Sequence, residues 1–138
     1  MSAEKNADLL GRIHTAARLV VAAIWIWHGL VPKILVRDPV EIAPILPLGI
    51  SEGDAWTIVT ITGCGEILLG LLTLLLRSAG WPLVVTIVVM TGLFLGVLVV
   101  EPRLVSGAFN PLTLNLAVAT LAAIGLTAMR GSRDRMEA

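Results

Sequence analysis

Charged side chains are scarce in this chain. Asp, Glu, Lys and Arg make up 14% of its 138 residues, where about 25% is usual in a soluble domain. Apolar residues make up 57%, and the thirteen glycines raise this to about two thirds, against roughly 45–50% in soluble domains counted the same way. Because a soluble domain of this length buries only about two thirds of its unfolded surface, the apolar excess excludes a free-standing soluble protein and predicts an integral membrane protein.

The chain also has no excess of positive charge and only one cysteine. The ten basic residues are balanced by ten acidic ones, so the chain lacks the basic field that nucleic-acid binding requires. Cys64 is the only cysteine, which excludes a disulfide within the chain and leaves no CxxC pair for dithiol chemistry. We expect Cys64 to be a small buried residue.

The two histidines, His14 and His28, are fourteen residues apart, which is roughly 21 Å along one helix. A bis-histidine haem needs both imidazoles at one depth, so one chain cannot build that site. Near His28, the predicted fold offers a metal ion one His, one Glu and no nearby Cys. We therefore predict no metal site and no intrinsic cofactor.

Four apolar stretches, bounded by charged residues, are long enough to cross a membrane. They cover residues 13–32, 56–76, 82–100 and 112–129, and about 20 residues span a hydrocarbon core of about 30 Å. We predict an all-α integral membrane four-helix bundle: one domain over 13–129, with cytoplasmic tails at 1–12 and 130–138. Arg18, inside the first stretch, is expected to snorkel to the lipid headgroups.

Basic residues are distributed unequally between the two faces of such a bundle. Seven lie on the side of the termini and three on the other, so the positive-inside rule predicts that both termini are cytoplasmic. The seven are Lys5, Arg12, Arg18, Arg77, Arg130, Arg133 and Arg135, and the three are Lys33, Arg37 and Arg103. Trp56 and Trp81 fall at span ends, where indole rings favour the membrane interface.

The connections between the spans differ in length. A tight turn at Arg77–Trp81 predicts that the second and third helices form an antiparallel hairpin. In the first outer connection, Asp38 followed by Pro39 is typical of a helix start, and we predict a short interfacial helix that ends near Pro44 or Pro47. It would act as a lid over the bundle or as a passive surface loop.

Small residues mark two helix surfaces for close packing. Gly92 and Gly96 form a GxxxG pair in the third span, and Ala119 and Ala123 form a similar pair in the fourth. Such pairs allow close backbone approach. They join helices within the bundle or join two copies in a homo-oligomer, and the pattern does not choose between these.

The polar residues kept at membrane depth are the candidate functional residues, because burying charge in hydrocarbon is costly. Glu66 is the only acidic residue inside a span and lies near its middle. Towards the outer end of the predicted bundle are His28, Lys33, Asn110 and Asn115. We predict a polar ligand pocket near the outer leaflet, floored by Glu66 and walled by Trp25 or Trp27.

Each candidate has more than one interpretation. Glu66 is a proton relay or ligand group, a partner in an ion pair with Lys33 or His28, or a neutral hydrogen-bonding group between helices. His28 is a ligand donor or an imidazole satisfied by backbone or water, and Lys33 is a site residue or a snorkelling anchor. The first interpretation of Asn110, which precedes Pro111, is a helix cap. The glycines 63, 65 and 70 around Glu66 leave space for a neighbouring helix or a ligand.

Four motifs resemble the DoxX-like family of small four-helix membrane proteins. They are WIWHGLVPKIL at 25–35, GCGEILLGLL at 63–72, WP at 81–82 and GAFNPLTLNLA at 107–117. The resemblance runs from about residue 15 to 126 and implies a multi-pass protein of the bacterial plasma (inner) membrane. The positions of this sequence that match the family's motifs are Trp25, Gly29, Pro32, Lys33, Glu66, Asn110, Pro111 and Asn115.

The DoxX superfamily includes a membrane subunit associated with thiosulfate and quinone oxidation. We therefore expect a redox-associated membrane subunit that binds a quinone-type or other lipophilic ligand, with Glu66 as a proton relay. Electrons would come from an oxidoreductase partner, because no flavin, haem or metal motif is present, so any enzymatic role is that of an accessory subunit. The alternatives are a non-catalytic anchor or assembly subunit and a small-solute or proton transporter, although no broken helix or inverted repeat supports transport.

Overall fold

The computed structural model describes residues 2–100 and 110–137, and in these it is all-α. The four α-helices are α1 (Ser2–Leu30), α2 (Glu52–Leu75), α3 (Trp81–Val100) and α4 (Pro111–Glu137). The four predicted helices are therefore confirmed. α1 and α4 run well beyond the apolar stretches that predicted them, into the polar residues near both ends of the chain.

Three helical segments are long and apolar enough to cross a membrane: Lys5–Val36, Glu52–Leu75 and Pro111–Asp134. The described apolar stretch of α3, Trp81–Gly96, is shorter. Many large apolar side chains on these helices are exposed, as with Ile61 and Val88 at 66% each. Such surfaces suit lipid tails, which are as apolar as the side chains themselves, and the chain is a multi-pass membrane protein.

Contacts divide the described residues into two units. The terminal unit contains the residues up to Val21 and from Leu76 onward, and the central unit is Ala22–Leu75. α1 contributes its first part to the terminal unit and its remainder to the central unit.

In the terminal unit, α3 packs against α4 around small and medium side chains. Leu83, Val118 and Ala122 are at most 1% exposed. At Gly125 of α4, a Cβ atom would lie 3.0 Å from the Cβ of Ala17 and 3.4 Å from Leu83 Cδ1. The absence of a side chain at Gly125 therefore lets α4 lie close to both α1 and α3.

The central unit contains the first connection, where the predicted cap is confirmed, whereas the short helix after it is a 3₁₀ helix that ends at Glu41 rather than near Pro44 or Pro47. The Asp38 carboxylate accepts a hydrogen bond from the Val40 amide at 3.0 Å, and Pro39 is the first helical residue. Two separate 3₁₀ turns follow, Pro39–Glu41 and Leu46–Leu48. The first ends before Pro44, which lacks the amide hydrogen that a continuing helix needs, whereas Pro47 lies inside the second.

This connection packs against the first turns of α2. Ile42 is 5% exposed and lies in one apolar cluster with the buried Ala55 and Val59. Partly buried members of the same cluster are Ile45, Ile50 and Trp56. The cluster fixes the Pro39–Glu41 turn beside the beginning of α2.

The GxxxG surface of α3 is open within the described part of the chain. No atom lies within 4 Å of the position that a Cβ would take at Gly92 or at Gly96. A homo-oligomer formed through this surface stays a prediction.

Candidate functional site

Lys33 lies between two carboxylates in the central unit. Its Nζ is 2.9 Å from Glu66 Oε2, to which it donates a hydrogen bond, and 3.4 Å from Glu41 Oε2. The side chains of Lys33, Glu66 and Glu41 are 13%, 18% and 25% exposed. We call these three residues the Lys33 cluster. Of the interpretations of Glu66, the structure shows the ion pair with Lys33, whereas its role in ligand or proton chemistry stays a prediction.

Glycines at the contact of α1 with α2 explain why Lys33 reaches Glu66. A Cβ added at Gly63 would lie 2.8 Å from the carbonyl oxygen of Gly29, and one at Gly70 would lie 2.9 Å from that of Ala22. Because residues three and four apart share a helix face, Gly63, Glu66 and Gly70 all face α1. The neighbouring helix therefore occupies the space beside Gly63 and Gly70, whereas no atom is near the Cβ position of Gly65.

A wider helical turn carries Lys33. After Leu30 the chain continues as a π-helical turn, Val31–Val36, that contains Pro32, a residue that removes one helical hydrogen bond. The amides of Arg37 and Asp38 both donate to the carbonyl oxygen of Pro32. Isolated π-turns in helices are frequent at functional sites, and here the turn keeps Lys33 within the helical segment rather than beyond its end.

The charges in the Lys33 cluster do not cancel. Two carboxylates face one ammonium, so the cluster has one excess negative charge when all three groups are ionised. An ammonium has three N–H donors, of which one is hydrogen-bonded to Glu66, and Glu41 is a second ion-pair partner at 3.4 Å. The cluster therefore has both donor and acceptor groups for a polar ligand.

The aromatic and imidazole candidates on α1 differ in their surroundings. Trp25 is 3% exposed and Trp27 is 64% exposed. Trp25 is therefore the one that belongs to the packed part of the central unit, and the role of either tryptophan as a pocket wall stays a prediction. His28 is half-buried, and in the described residues the partner of Glu66 is Lys33 and not His28.

Asn110 and Asn115 belong to the terminal unit. The Asn110 side-chain oxygen accepts a hydrogen bond from the Thr113 amide at 2.9 Å, and α4 begins at Pro111, so the predicted cap is confirmed. Asn115 lies on α4 and is 7% exposed. Their roles as ligand donors stay predictions.

The interpretation of Arg18 as a snorkelling side chain is wrong. Arg18 is 3% exposed, and its two terminal nitrogens donate to the carbonyl oxygens of Ala79 at 2.8 Å and Leu76 at 2.7 Å. Both carbonyls lie in the turn that follows the last residue of α2, and that of Leu76 also accepts a hydrogen bond from the Ala79 amide at 3.0 Å. Arg18 therefore holds the turn between α2 and α3 instead of reaching the headgroups.

Two more basic side chains bind the same turn. His14 lies between two carbonyl oxygens, with Nδ1 2.8 Å from that of Gly125 and Nε2 3.3 Å from that of Arg77. Arg133 of α4 donates to the carbonyl oxygen of Ser78. The successive carbonyls of residues 76–79 are thus each bound by a basic side chain from α1 or α4.

Sequence reasoning missed Glu41 and misjudged Cys64. Glu41 is an ordinary loop carboxylate in sequence, and only its place on the Pro39–Glu41 turn brings it to Lys33. Cys64 is exposed rather than buried, because it lies off the face of α2 that Gly63 and Glu66 present to α1. In the part of the chain that the structure describes, no group of three His, Cys, Asp or Glu side chains is placed to hold a metal ion.

Comparison with protein families gives one match. The family described as DoxX-like matches residues 22–123, a range that includes Lys33, Glu66 and the Asn110 cap. Searches of curated proteins and of solved structures gave no significant match. Because the match covers well over half of the chain and contains the residues that form the Lys33 cluster, this protein belongs to the DoxX-like family.

Proposed function

We propose that this protein is a redox-associated membrane subunit with a pocket for a quinone-type or similar lipophilic ligand beside the Lys33 cluster. The observation that supports it is the placement of Lys33 and Glu66, 2.9 Å apart, within two helical segments apolar enough to span a membrane. Charged groups at such positions are costly and are typically functional.

The donors and acceptors of the cluster suit a quinone headgroup. Such a headgroup needs hydrogen-bond donors for its carbonyl oxygens and an apolar channel for its tail. Lys33 has N–H donors besides the one bound to Glu66, and His28 lies near the end of α1, five residues before Lys33. Glu66, when it carries a proton, passes that proton to or from the ligand, and Trp25 offers an aromatic wall.

The remaining parts of the proposal concern topology and partners. The excess of basic residues near the chain ends puts both termini in the cytoplasm, so the connection that carries Glu41 lies on the outer face of a four-helix bundle. Asn110 and Asn115, in the terminal unit, are proposed as further ligand donors. Electrons come from an oxidoreductase partner in the plasma membrane, and Gly92 with Gly96 offers a surface for a second copy.

A second candidate function is favoured by the contact between Gly29 and Gly63. The Lys33–Glu66 pair lies beside this close backbone contact and joins the two helical segments at 2.9 Å. Such a pair is suited to hold α1 and α2 together in a non-catalytic anchor or assembly subunit. The two candidates differ in whether Glu66 serves a ligand or only the fold.

Ligand extraction separates these candidates. Protein purified in mild detergent is extracted with organic solvent and analysed for quinones by mass spectrometry, and its melting temperature is measured with and without decyl-ubiquinone. The ligand proposal predicts near-stoichiometric quinone and a raised melting temperature in the native protein. Both are lost in Glu66→Gln and Lys33→Met and kept in Glu52→Gln, which alters an exposed carboxylate of the same helix.

The same experiment has two contrary outcomes. If the native protein carries no lipophilic molecule and decyl-ubiquinone does not raise its melting temperature, the ligand proposal is wrong. If Glu66→Gln and Lys33→Met fail to accumulate in the membrane while Glu52→Gln accumulates normally, the anchor function is supported instead.

A further inference from the structure

A second polar site lies in the central unit, apart from the Lys33 cluster. It is a surface pocket of about 270 Å³ at the beginning of α2. Its lining residues are Arg37, Gly53, Trp56, Thr57, Thr60 and Ile61. The pocket begins in the first turn of a helix that is apolar enough to span a membrane, so it lies at the depth of the lipid headgroups.

Arg37 supplies the positive group of this pocket. Its guanidinium carbon lies 4.8 Å from the centroid of the Trp56 ring, in the range of a cation–π contact. The side chain makes no ion pair with any carboxylate in the described residues. Stacking on the ring leaves the N–H groups at the edge of the guanidinium free to bind a phosphate with two parallel hydrogen bonds.

The other polar groups of the pocket are acceptors rather than donors. The hydroxyl of Thr57 donates to the carbonyl oxygen of Gly53 at 3.0 Å, and that of Thr60 donates to the carbonyl oxygen of Trp56 at 2.8 Å. Each hydroxyl has one proton, so the Thr57 and Thr60 oxygens present only lone pairs to a ligand.

Three carboxylates are close in sequence to the residues that line the pocket. Glu52 is exposed one helical turn before Trp56, and Asp54 accepts a hydrogen bond from Ser51 at 2.6 Å. Asp38 follows Arg37 directly. A purely anionic ligand would meet repulsion from these groups, whereas a ligand that also carries an N–H cation would be attracted by them.

The deeper end of the pocket is apolar. Ile61 is 66% exposed and lies more than one turn further along α2 than Trp56, towards the hydrocarbon. A ligand bound at Arg37 therefore has an apolar surface along which chains can continue into the membrane.

We propose that this pocket binds the headgroup of a zwitterionic phospholipid that carries a primary ammonium. The phosphate binds the guanidinium of Arg37, and the ammonium lies towards the Thr57 hydroxyl oxygen. The acyl chains follow Ile61. Because the ammonium donates N–H bonds, phosphatidylethanolamine binds better than phosphatidylcholine, whose cation has no N–H, and better than phosphatidylglycerol, which has no cation.

Lipid titration of the detergent-purified protein tests this proposal. Short-chain phosphatidylethanolamine, phosphatidylcholine, phosphatidylglycerol and inorganic phosphate are added separately, and binding is followed by native mass spectrometry and by melting temperature. Phosphatidylethanolamine is expected to bind tightest to the native protein. Arg37→Gln weakens its binding about tenfold, the effect of losing a charge-assisted pair of hydrogen bonds, while Arg130→Gln, which alters an exposed arginine of α4, does not.

Two further variants keep the test independent of folding. Arg37→Lys retains the charge but not the planar fork, and it is expected to bind with intermediate affinity. Thr57→Val is expected to lower the preference for phosphatidylethanolamine over phosphatidylglycerol. The proposal is overturned if the three lipids bind alike, if Arg37→Gln binds as the native protein does, or if inorganic phosphate alone raises the melting temperature as much as phosphatidylethanolamine.

Discussion

Gly29 and Gly63 bring the backbones of α1 and α2 into direct contact. A Cβ atom at Gly63 would lie 2.8 Å from the Gly29 carbonyl oxygen and 3.1 Å from the Cβ of Lys33, closer than such atoms pack. The two glycines therefore set the separation of the helices in the central unit. That separation is what allows Lys33 Nζ to lie 2.9 Å from Glu66 Oε2.

Gly63→Ala is expected to destabilise the protein, because the new methyl group meets backbone that cannot move without separating the helices. Overpacking of this kind reduces the free energy of unfolding by about 1–3 kcal/mol. Gly65→Ala is a matched control two residues away, where a Cβ meets no atom within 4 Å, and alanine favours helix by up to about 1 kcal/mol. Thermal unfolding in detergent, followed by circular dichroism, measures both. Equal losses in the two variants would contradict this account of the contact.

The Lys33–Glu66 pair is expected to show a large coupling energy in a double-mutant cycle. Lys33→Met leaves two carboxylates without an ammonium and lowers the stability by about 1–3 kcal/mol, less than the roughly 3–5 kcal/mol of fully buried pairs. Adding Glu66→Gln to Lys33→Met removes one of these carboxylates, so the double variant loses less than the sum of the single losses.

The exposed pair of Asp8 with Arg12 is the control for this cycle. It joins residues one turn apart on α1 at 3.1 Å, with side chains 64% and 78% exposed. Exposed pairs at this spacing contribute about 0.3–0.5 kcal/mol. A coupling energy for Lys33 with Glu66 no greater than that of Asp8 with Arg12 would mean that the cluster contributes little to stability.

Glu41→Gln is expected to loosen the first connection more than it destabilises the whole protein. Glu41 is further from Lys33 than Glu66 is, at 3.4 Å against 2.9 Å, so its loss should have the smaller effect on the melting temperature. The apolar cluster around Ile42 remains, but the turn loses its ionic link to α1. Amide hydrogen exchange at residues 38–50 should become faster in Glu41→Gln and stay unchanged in Glu52→Gln.

Most of the fold followed from the sequence because a membrane protein separates its residues strongly by polarity. Charged residues bound the apolar stretches, so the four helices could be located from composition alone. The starts of helical turns after Asp38 and Asn110 were also predictable, since each is a capping residue followed by proline. The short helix in the first connection begins as predicted but ends earlier, at Glu41, and a second 3₁₀ helix follows at Leu46–Leu48.

The candidate site was predictable only in part. Lys33 and Glu66 stood out as ionisable residues in or beside apolar stretches, but their pairing depends on glycines that are far apart in sequence. Glu41 gave no sequence signal, since a loop carboxylate is usually solvated. Arg18 was assigned to the headgroups because charge near a span end usually snorkels, whereas in the structure the carbonyls of Leu76 and Ala79, after α2, bind its guanidinium.

Asn110→Ala is expected to lower the free energy of unfolding by about 1 kcal/mol, the usual effect of losing a helix cap. Asn110→Asp keeps an oxygen that accepts a hydrogen bond from the Thr113 amide, so it should lose much less stability than Asn110→Ala. Thermal unfolding of the two variants measures the cap. If the aspartate variant is as unstable as the alanine variant, the amide nitrogen of Asn110 is more important than its oxygen.

Arg18→Lys is expected to destabilise the terminal unit, although the charge is retained. The guanidinium binds Leu76 and Ala79 with two different nitrogens, at 2.7 Å and 2.8 Å, and a lysine ammonium cannot reproduce that planar fork. Losing one charge-assisted hydrogen bond at a buried position lowers the stability by about 1.5–3 kcal/mol. Arg12→Lys is the control, since Arg12 is 78% exposed and surface changes stay within about 0.5 kcal/mol.

Because Arg18 binds carbonyls of the α2–α3 turn, Arg18→Lys should also speed proteolysis at residues 76–80. Equal cleavage of Arg18→Lys and Arg12→Lys would show that the turn is held by other contacts.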